Sequence, residues 1–454
     1  MNKLNKHSAP KSLLKSLTPC VAFTIFSITA VPANADPFAA MFDAASDAYT
    51  EVDTSSVDLY IAETESDIQE QAYNAEVLWE AGVDFGYSES QDFIEETEEK
   101  EVSSVARTSI TLNKTLWDKA IDYSIDSAQN NIRTAQINQF ESRQELVESL
   151  ALASLDYLAA RDIAASVQKR SLQFINLRNK IAKEKKAGDA EDIDMDDVES
   201  QVQDAQFAVL EERTNLKKAK IRLNQLTNNS IDYISPSRSF FTASNDIRLG
   251  SVSSLISSAL RQNLELKALQ SDEISLQKNV LSKRAGTAPK FDFTSSVAKE
   301  WSKGDVDQET FDVSVGVNME MLLYTGGLTN NEIKLAKLEL LSAERETNQK
   351  KREIIGEIRT LSAEFSGSLS SYKSLLKVHK PLKKKAAEIN ASIASDEIDD
   401  LDVFETLDDE VELNNSLIRQ YYDLLKIKVE IMKLTGELDM NSLNQLRALL
   451  LNTA

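Results

Sequence analysis

Four segments of the chain alternate between apolar and polar side chains, most strictly in the first and the last of them. A period of two residues is typical of a β-strand with one apolar and one polar face. Charged linkers around Glu95 to Glu101 and around Ser302 to Gln308 divide the segments into two pairs, so the pattern predicts two β-hairpins. The apolar positions are Trp79, Ala81, Val83, Phe85 and Tyr87; Ala106, Thr108, Ile110 and Leu112; Phe291, Phe293 and Val297; and Phe311, Val313, Val315, Val317 and Met319.

The stretches that follow the hairpins have the spacing of long helices. Neither proline nor glycine occurs from Asp118 to about Ala187, and a helix of that length would extend on the order of 100 Å. Apolar residues recur at steps of three and four, which is typical of a coiled-coil seam. Pro381, inside a later stretch, predicts a local bend. The seam residues are Leu150, Ala153, Tyr157, Ala160, Ala164 and Val167; Val202, Ala205, Val209, Leu216, Ala219, Leu223 and Leu226; and Leu413, Leu417, Leu424, Ile427, Ile431 and Leu434.

The second half of the chain repeats the first at a shift of about 207 residues. Leu116-Trp117 aligns with Leu323-Tyr324, and Leu226-Thr227-Asn228 aligns with Leu434-Thr435-Gly436. Each half therefore has one predicted plan, in which a short helix and two strands precede two long helices.

The first 35 residues have the parts of a secretory signal peptide. Four lysines open the segment, an apolar run covers Val21 to Val31, and Ala33-Asn34-Ala35 forms an A-x-A cleavage site before Asp36. This run is too short for a membrane-spanning helix, which needs roughly 20 apolar residues. Cys20 lies within the signal, so the mature chain is expected to have neither disulfides nor thiolate metal sites.

The rest of the chain is strongly acidic. Removing the four lysines changes the net charge from −22 to about −26, which argues against nucleic acid as a partner because phosphate binding needs positive charge. His379 is then the one remaining histidine, and twelve glycines in 454 residues leave no room for a glycine-rich phosphate loop. Without a nucleophile, base and orienting acid to assemble, we predict no enzyme activity, no cofactor and no metal site.

The strands and the helices each admit two interpretations. Strands of roughly 10 residues with one apolar face occur in the half-buried sheets of soluble proteins and in membrane barrels. The barrel is favoured because the chain has no other large apolar domain to cover the sheet, and because four strands in lipid leave edges that need further copies of the chain. The helices alone suit a coiled-coil structural protein equally well.

Several motifs are similar to those of the TolC family of outer-membrane channels, and the resemblance covers nearly the whole chain after the signal. VSVGVNMEMLLYTGG at Val313 to Gly327 resembles the family's last strand and its "(L/F)-(Y/F)-D-G-G" turn, with Thr325 in place of aspartate. ALRQNLELKAL at Ala259 to Leu269, followed by Pro289, resembles the "AL-x-x-NPEL" helix and the proline-led strand, with Leu264 in place of proline.

The resemblance implies a mixed α/β membrane protein. Three chains would each contribute four strands to a twelve-stranded outer-membrane β-barrel, continued by a periplasmic α-helical barrel of antiparallel coiled-coil helices, and closure around the threefold axis would remove the strand edges. The aromatic residues Trp79, Trp117, Trp301, Tyr87 and Tyr324 are expected in interfacial girdles or in packing contacts. The predicted organisation is a signal peptide at 1–35, an N-terminal helical segment at 36–75, a first β-hairpin at 76–116, a first long helix pair at 117–228, a linker and short helix at 229–287, a second β-hairpin at 288–324, a second long helix pair at 325–436 and a C-terminal tail at 437–454.

The turns between paired long helices are the most acidic stretches of the chain, GDAEDIDMDDV at Gly188 to Val198 and SDEIDDLDVFETL at Ser395 to Leu407. LDVFET at Leu401 to Thr406 resembles the family's "LDVLDA" motif, which implies that Asp402 and Glu405 line the channel entrance. A separation of three residues places both carboxylates on one helical face. Threefold repetition would make two rings of negative charge that attract cations.

The same tips are expected to dock an adaptor protein, through Gly188, Asp194, Asp197, Val198, Asp399 and Asp400. The "G-L-x-x-x-x-D-V" tip of drug-efflux members is only partly present, because Asp189 and Ala190 follow the glycine. Ile398 stands where some relatives have a basic residue that tethers the closed entrance. The departure at Ile398 argues against closure by the same charged link. The longer acidic first tip is more similar to that of members serving type I secretion, which favours secretion over drug efflux.

The expected function is a passive outer-membrane duct of a tripartite export system, for type I protein secretion or small-molecule efflux. The expected partners are two further copies of the chain in a homotrimer, a periplasmic adaptor, an inner-membrane ABC transporter or proton-driven pump, and outer-membrane lipid. The alternative is a non-channel coiled-coil structural protein of the periplasm or cell surface, which has no use for the paired strands.

Overall fold

The computed structural model describes residues 45, 50–92, 97–187, 195–227, 248–303, 307–394, 402–439 and 442 of the chain. Two halves follow one another in these ranges, and each has two strands followed by two long helices, as the duplication predicts. The elements are α1 (Thr50–Gln71), β1 (Glu76–Asp92), β2 (Thr97–Trp117), α2 (Lys119–Ala187), α3 (Met195–Leu226), α4 (Val252–Gln262), α5 (Leu264–Ala285), β3 (Lys290–Lys303), β4 (Gln308–Glu320), α6 (Leu328–Ala394) and α7 (Asp402–Leu434).

The four strands form one antiparallel sheet in the order β1-β2-β3-β4. Residues directly opposite each other in an antiparallel register share a face, so rows of side chains can be followed across the sheet. One row on the apolar face consists of Trp79, Ile110, Val297 and Val313. The alternation in the sequence therefore matches from strand to strand and gives the sheet one continuous apolar face.

This apolar face is open. Its large apolar side chains on the two outer strands are all at least 60% exposed, and Phe85 reaches 82%. Within the described ranges no helix packs substantially on the sheet. The exposed set is Val77, Trp79, Val83, Phe85 and Tyr87 on β1, and Phe311, Val313, Val315, Val317 and Met319 on β4.

The opposite face of the sheet is polar. The hydroxyls of Ser296 and Ser314 lie 2.8 Å apart on neighbouring strands, and Arg107 pairs with Asp84 at 3.1 Å. A soluble sheet would bury its apolar face and expose its polar face. In this chain the polar face carries the hydrogen bonds and ion pairs, while nothing in the described ranges covers the apolar one.

The helices contact one another in two successive orders. Beside the sheet the contacts run α1-α2-α5-α6, which repeats the order of the strands because each of these helices is joined to one strand by a short connection. Farther from the sheet, α3 and α7 replace α1 and α5, and the contacts run α3-α2-α7-α6. Both orders leave α6 at one edge, and α1 or α3 at the other.

The packing between these helices changes along their length. The largest apolar cluster lies where α2, α6 and α7 meet and includes Leu158, Tyr372 and Tyr422, all at most 1% exposed. The α2-α5 contact is polar instead, since Ser275 and Ser282 of α5 donate hydrogen bonds of 3.1 and 2.8 Å to carbonyl oxygens of α2. Small hydroxyl side chains let these two backbones approach closely.

The short helix predicted before the second hairpin is two helices, α4 and α5, separated by Asn263. The Asn263 side chain accepts a 2.9 Å hydrogen bond from the Leu266 N–H, which caps α5, and donates one of 3.3 Å to the Leu434 carbonyl at the end of α7. Gly436 has φ +68°, and a Cβ there would lie 2.6 Å from the Gln262 carbonyl oxygen. The end of α7 is therefore fitted against the α4-α5 junction.

Two elements run farther than their sequence markers suggest. β1 extends to Asp92 and β2 begins at Thr97, within the charged linker expected around Glu95 to Glu101. Backbone ladder bonds do not depend on side-chain polarity, so the hairpin continues beyond its apolar band. Helix α6 likewise continues on both sides of Pro381, and the bend at this position stays a prediction.

Candidate functional site

Four of the predicted entrance and docking residues are described, and these four lie at the helix ends farthest from the sheet. Asp197 and Glu405 are exposed there, Asp402 is the first residue of α7, and the Val198 side chain is fully buried. Gly188, Asp194, Asp399 and Asp400 lie outside the described residues.

An apolar cluster holds the four helix ends together. Phe174 of α2 and Phe404 of α7 meet edge to face with ring centroids 4.9 Å apart. Val198 fills the same cluster from α3, and Ala386 fills it from α6. The helix ends that flank residues 188–194 and 395–401 therefore meet. Because Val198 lies inside this cluster, its side chain is not exposed at the surface. The cluster, named here the tip cluster, consists of Phe174, Leu177, Ile181, Val198, Val202, Ala205, Ala386, Phe404 and Leu407.

Two arginines place positive charge beside the acidic helix ends. Arg170 of α2 pairs with Asp408 of α7, and its guanidinium lies 5.7 Å from the ring centroid of Phe174. Arg178 pairs with Glu199 of α3 at 3.6 Å. The Nε atoms of both arginines are buried without a hydrogen-bond partner among the described residues. These cations offset part of the repulsion between acids, and no spacing in the sequence distinguishes them from other helix arginines.

A ladder of polar contacts ties α2 to α7 above the tip cluster. Burial, reinforced by the Asp162 carboxylate, raises the pKa of Tyr422, so this phenol keeps the proton that it donates to Asp162. The partners follow one antiparallel register, and each rung reinforces the next. The rungs are Asn414–Ser166 at 3.0 Å, Tyr422–Asp162 at 2.7 Å, Lys426–Asp156 at 2.7 Å and Lys433–Glu148 at 2.7 Å.

Glu141 lies where four helices come together. Burial raises its pKa to about 7, helped by the charges of Glu265 on α5 and Glu145 on α2 and opposed by Lys433 on α7 and Lys350 on α6. The two lysines are themselves paired, Lys350 with Glu265 and Lys433 with Glu145 and Glu148. The acids of this junction therefore outnumber its cations, and one carboxyl takes up a proton near neutral pH.

Both edges of the sheet are unpaired within the described ranges, because β1 and β4 are its outer strands. An open edge presents a row of N–H and C=O groups ready to pair with another strand. Since β1 and β4 are 17 and 13 residues long, each edge could accept a complete partner strand.

The edge helices carry exposed apolar stripes as well. On α1 the stripe lies on the side opposite Val52 and Ala62, which pack on α2. On α3 the exposed Phe207 and Leu210 lie opposite the buried Val202 and Val209. Each edge helix thus has one face packed inside the chain and a second apolar face without cover in the described ranges. The α1 stripe is Val57, Tyr60, Ile61 and Ile68, and that of α6 is Leu328, Leu335, Leu338 and Leu341.

The described helices show no segment long and apolar enough to cross a membrane.

Comparison with known proteins shows which family the chain is similar to. Residues 255–391, from α4 into α6, match the model of the family described as outer membrane efflux protein. The resemblance to TolC channels that the sequence motifs indicated is thereby confirmed.

Relatives of this family share the fold at low sequence identity. The chain is 20% identical over 278 residues to the outer membrane protein TolC of Vibrio cholerae, a match covering 60% of the chain and 63% of that protein. The Campylobacter jejuni CmeC outer membrane channel is 13% identical with a TM-score of 0.72, covering 92% of this chain and 90% of that one. A membrane protein from Pseudomonas aeruginosa is 16% identical with a TM-score of 0.73, covering 88% and 90%. The expected fold class, long coiled helices joined to four antiparallel strands, is confirmed.

Proposed function

We propose that this chain is the outer-membrane channel of a tripartite export system, a passive duct for protein secretion or small-molecule efflux. The observation that supports this proposal most strongly is the apolar sheet face, which no described part of the chain covers. Contiguous exposed apolar surface of this extent is unfavourable in water and marks a membrane or protein contact. Lipid outside and water inside would satisfy both faces of the sheet.

The apolar band runs obliquely across the sheet. On β1 it extends from Val77 to Tyr87, whereas on β4 it extends from Phe311 to Met319, and the register places Val315 in the row of Val77. The band is therefore displaced along the strands by about 13 Å at one border and about 20 Å at the other, over the roughly 14 Å that separate the outer strands. A horizontal membrane slab produces this displacement if the strands tilt by about 45°, the tilt typical of membrane barrel strands.

Three copies of the chain would close both layers. Pairing β4 of one copy with β1 of the next gives a twelve-stranded barrel without edges. The same rotation brings α6 of one copy against α1 and α3 of the next, because helices and strands follow matching orders. The exposed leucines of α6 would then meet the exposed stripe of α1.

The acidic helix ends support an entrance at the far end of the tunnel. Asp402 and Glu405 lie at the start of α7 on the tip cluster, and threefold repetition would gather their charges around the axis. Like charges held close together attract cations. Gly188, Asp194, Asp197, Asp399 and Asp400 would contact a periplasmic adaptor at the same tips, with Val198 packed beneath them.

A passive duct supplies no energy, so it would need an inner-membrane ABC transporter or proton-driven pump joined through the adaptor. A coiled-coil structural protein is the other reading of the long helices. That reading leaves the exposed apolar sheet face without a role, and this distinguishes the two.

Single-channel current in a planar bilayer tests the proposal. We expect small cation-selective currents from the purified protein, and larger currents from Asp402→Ala plus Glu405→Ala, because removing the acidic rings widens the entrance and weakens its hold on cations. Sensitivity to divalent cations should fall in the same variant. The matched control is Asp53→Ala plus Asp58→Ala, which removes two exposed carboxylates from α1, and its currents should equal those of the wild type.

Folded protein that forms no channel in the bilayer would disprove the duct. Channels that behave identically in the entrance variant and in the α1 control would retain the duct and reject the acidic entrance.

A further inference from the structure

Among the described side chains of the apolar sheet face there is one charged cluster, at the end farthest from the helices. Lys299, Trp301 and Lys303 alternate along β3 and so point to the apolar side, where Trp301 is opposite Ala106 of β2 and Glu309 of β4. Lys299 forms an ion pair with Glu309, and its Nζ lies 4.9 Å from the centroid of the Trp301 ring. These residues are named here the β3 basic cluster.

The oblique band places this cluster at the distal border of the membrane. Following the slope from Tyr87 on β1 to Phe311 on β4, the border crosses β3 near Trp301. Tryptophan prefers that level, because its ring suits the boundary between acyl chains and headgroups. Lys299 lies about 7 Å inside the border at Trp301 and Lys303 about 7 Å outside it, measured along the strand.

A lysine on a lipid-facing strand is strongly unfavourable at the bilayer centre but nearly neutral close to the interface. Lysine reaches the interface by extending its ammonium toward the headgroups while its methylenes stay in the apolar layer. Glu309 and the Trp301 ring stabilise the ammonium of Lys299 on this path. The two residues hold it at the depth of the headgroups.

The cluster carries two lysines and one glutamate, so it is locally positive on a chain whose net charge is −22. Phosphate groups of anionic lipids lie at the depth of the cluster and have the complementary charge. We propose that the β3 basic cluster binds the phosphate group of an anionic lipid in the distal leaflet of the membrane. This inference rests on the proposed function, since it requires the apolar face to lie in a bilayer.

Lipid binding by the full chain in mixed detergent micelles tests the proposal, with native mass spectrometry as the readout. The probes are lipid A, which carries two phosphates, and the same lipid after enzymatic dephosphorylation. We expect saturable binding of the phosphorylated lipid, weakened about tenfold or more in Lys299→Gln plus Lys303→Gln. Glu309→Gln should tighten binding by about threefold, because Lys299 then faces the phosphate alone.

The matched control is Lys114→Gln. Lys114 is also exposed on the apolar side, opposite Phe293, but at the border next to the helices. Its removal should leave lipid A binding unchanged. Lys299→Arg plus Lys303→Arg keeps the charge and should keep the binding, which separates charge recognition from loss of folding.

Equal binding of lipid A by the wild type and the double glutamine variant would overturn the inference, as would equal binding of the dephosphorylated lipid. If inorganic phosphate at millimolar concentration displaces lipid A, the cluster binds free phosphate, and the proposed lipid site is rejected as well. The same samples are placed in planar bilayers. Channels without selective lipid binding reject the lipid site alone, whereas absence of channels rejects the proposed function.

Discussion

The sheet and the tip cluster place the same types of side chain in opposite environments. Val315 on the sheet is 68% exposed, whereas Val198 in the tip cluster is fully buried by its neighbours on three other helices. At the tip, apolar residues turn inward and acids face outward, as expected for a surface in water. On the sheet they turn outward, with hydroxyls and ion pairs on the other face. The difference teaches that one chain is built for two solvents, and that the boundary between them lies where the strands give way to the helices.

The tip cluster should respond to truncation as a water-exposed protein core does. Phe404→Ala removes a buried ring that packs on Phe174, and we expect the free energy of unfolding of the helical region to fall by about 3–5 kcal/mol. Helix-specific circular dichroism during chemical denaturation in micelles measures it. Phe140→Ala, at a 56% exposed ring on α2, is the control and should change stability little. Equal losses of unfolding free energy in the two variants would show that the tip cluster does not act as a hydrophobic core.

The sheet should respond to charge on its apolar face as a lipid-facing surface does. Val315→Lys places an ammonium in the middle of the apolar band, and we expect membrane insertion to become less favourable by about 2–4 kcal/mol per chain. The measure is the fraction of protein that resists extraction from vesicles. Ser314→Lys, on the neighbouring position of the polar face, should insert nearly as well as the wild type. If the two lysines behave alike, the sheet has no lipid side.

The junction at Glu141 gives a smaller, pH-dependent effect in the helical region. Its pKa of about 7 lies above the ordinary value of 4.5, so the folded state binds the proton more tightly than the unfolded state does. Stability should therefore fall as pH rises from 4.5 to 7 and then level off. Glu141→Gln should remove this fall and stabilise the protein by about 1 kcal/mol at pH 8, allowing for solvent screening, with no gain at pH 4.

Thermal denaturation at the two pH values measures the gain. Asp67→Asn, which changes an exposed carboxylate on α1, is the control and should retain the pH-dependent fall of the wild type. A Glu141→Gln gain of the same size at both pH values would assign the effect to packing and not to titration.

The strands and long helices could be predicted from sequence because the repeat of apolar positions that defines each of them involves residues close together along the chain. The alternation from Trp79 to Tyr87 and the helical stretch up to Ala187 needed no knowledge of distant contacts. The break at Asn263 was missed although its cap on the Leu266 N–H is local. The second contact of Asn263, with the Leu434 carbonyl 171 residues away, could not be predicted from the sequence. The linker of the first hairpin was expected around Glu95 to Glu101, but β2 already begins at Thr97. Ladder hydrogen bonds between backbones extend a strand regardless of side-chain polarity, so the polar sequence did not mark the strand's end.

The candidate site was only partly accessible from sequence. Acidic composition and a family motif pointed to the helix ends that carry Asp197 and Glu405, and the structure brings those ends together on one cluster. Arg170 and the Tyr422–Asp162 contact were missed, because their partners lie more than 200 residues away along the chain. A lone arginine or tyrosine on a long helix carries no local signal of a partner across another helix.

The open edges of β1 and β4, together with those of α1, α3 and α6, have a consequence for biogenesis. A chain with complementary edges gains little from a single encounter, since a pair of chains still exposes one edge of each kind. In the proposed trimer, only the third copy removes the last edges, so assembly is expected to be steeply dependent on concentration, with few stable intermediates. Chains stalled before ring closure would present long unpaired strands beside an apolar surface, the combination that aggregates most readily. If the proposed trimer forms, new chains would need to be shielded until three of them meet at the membrane.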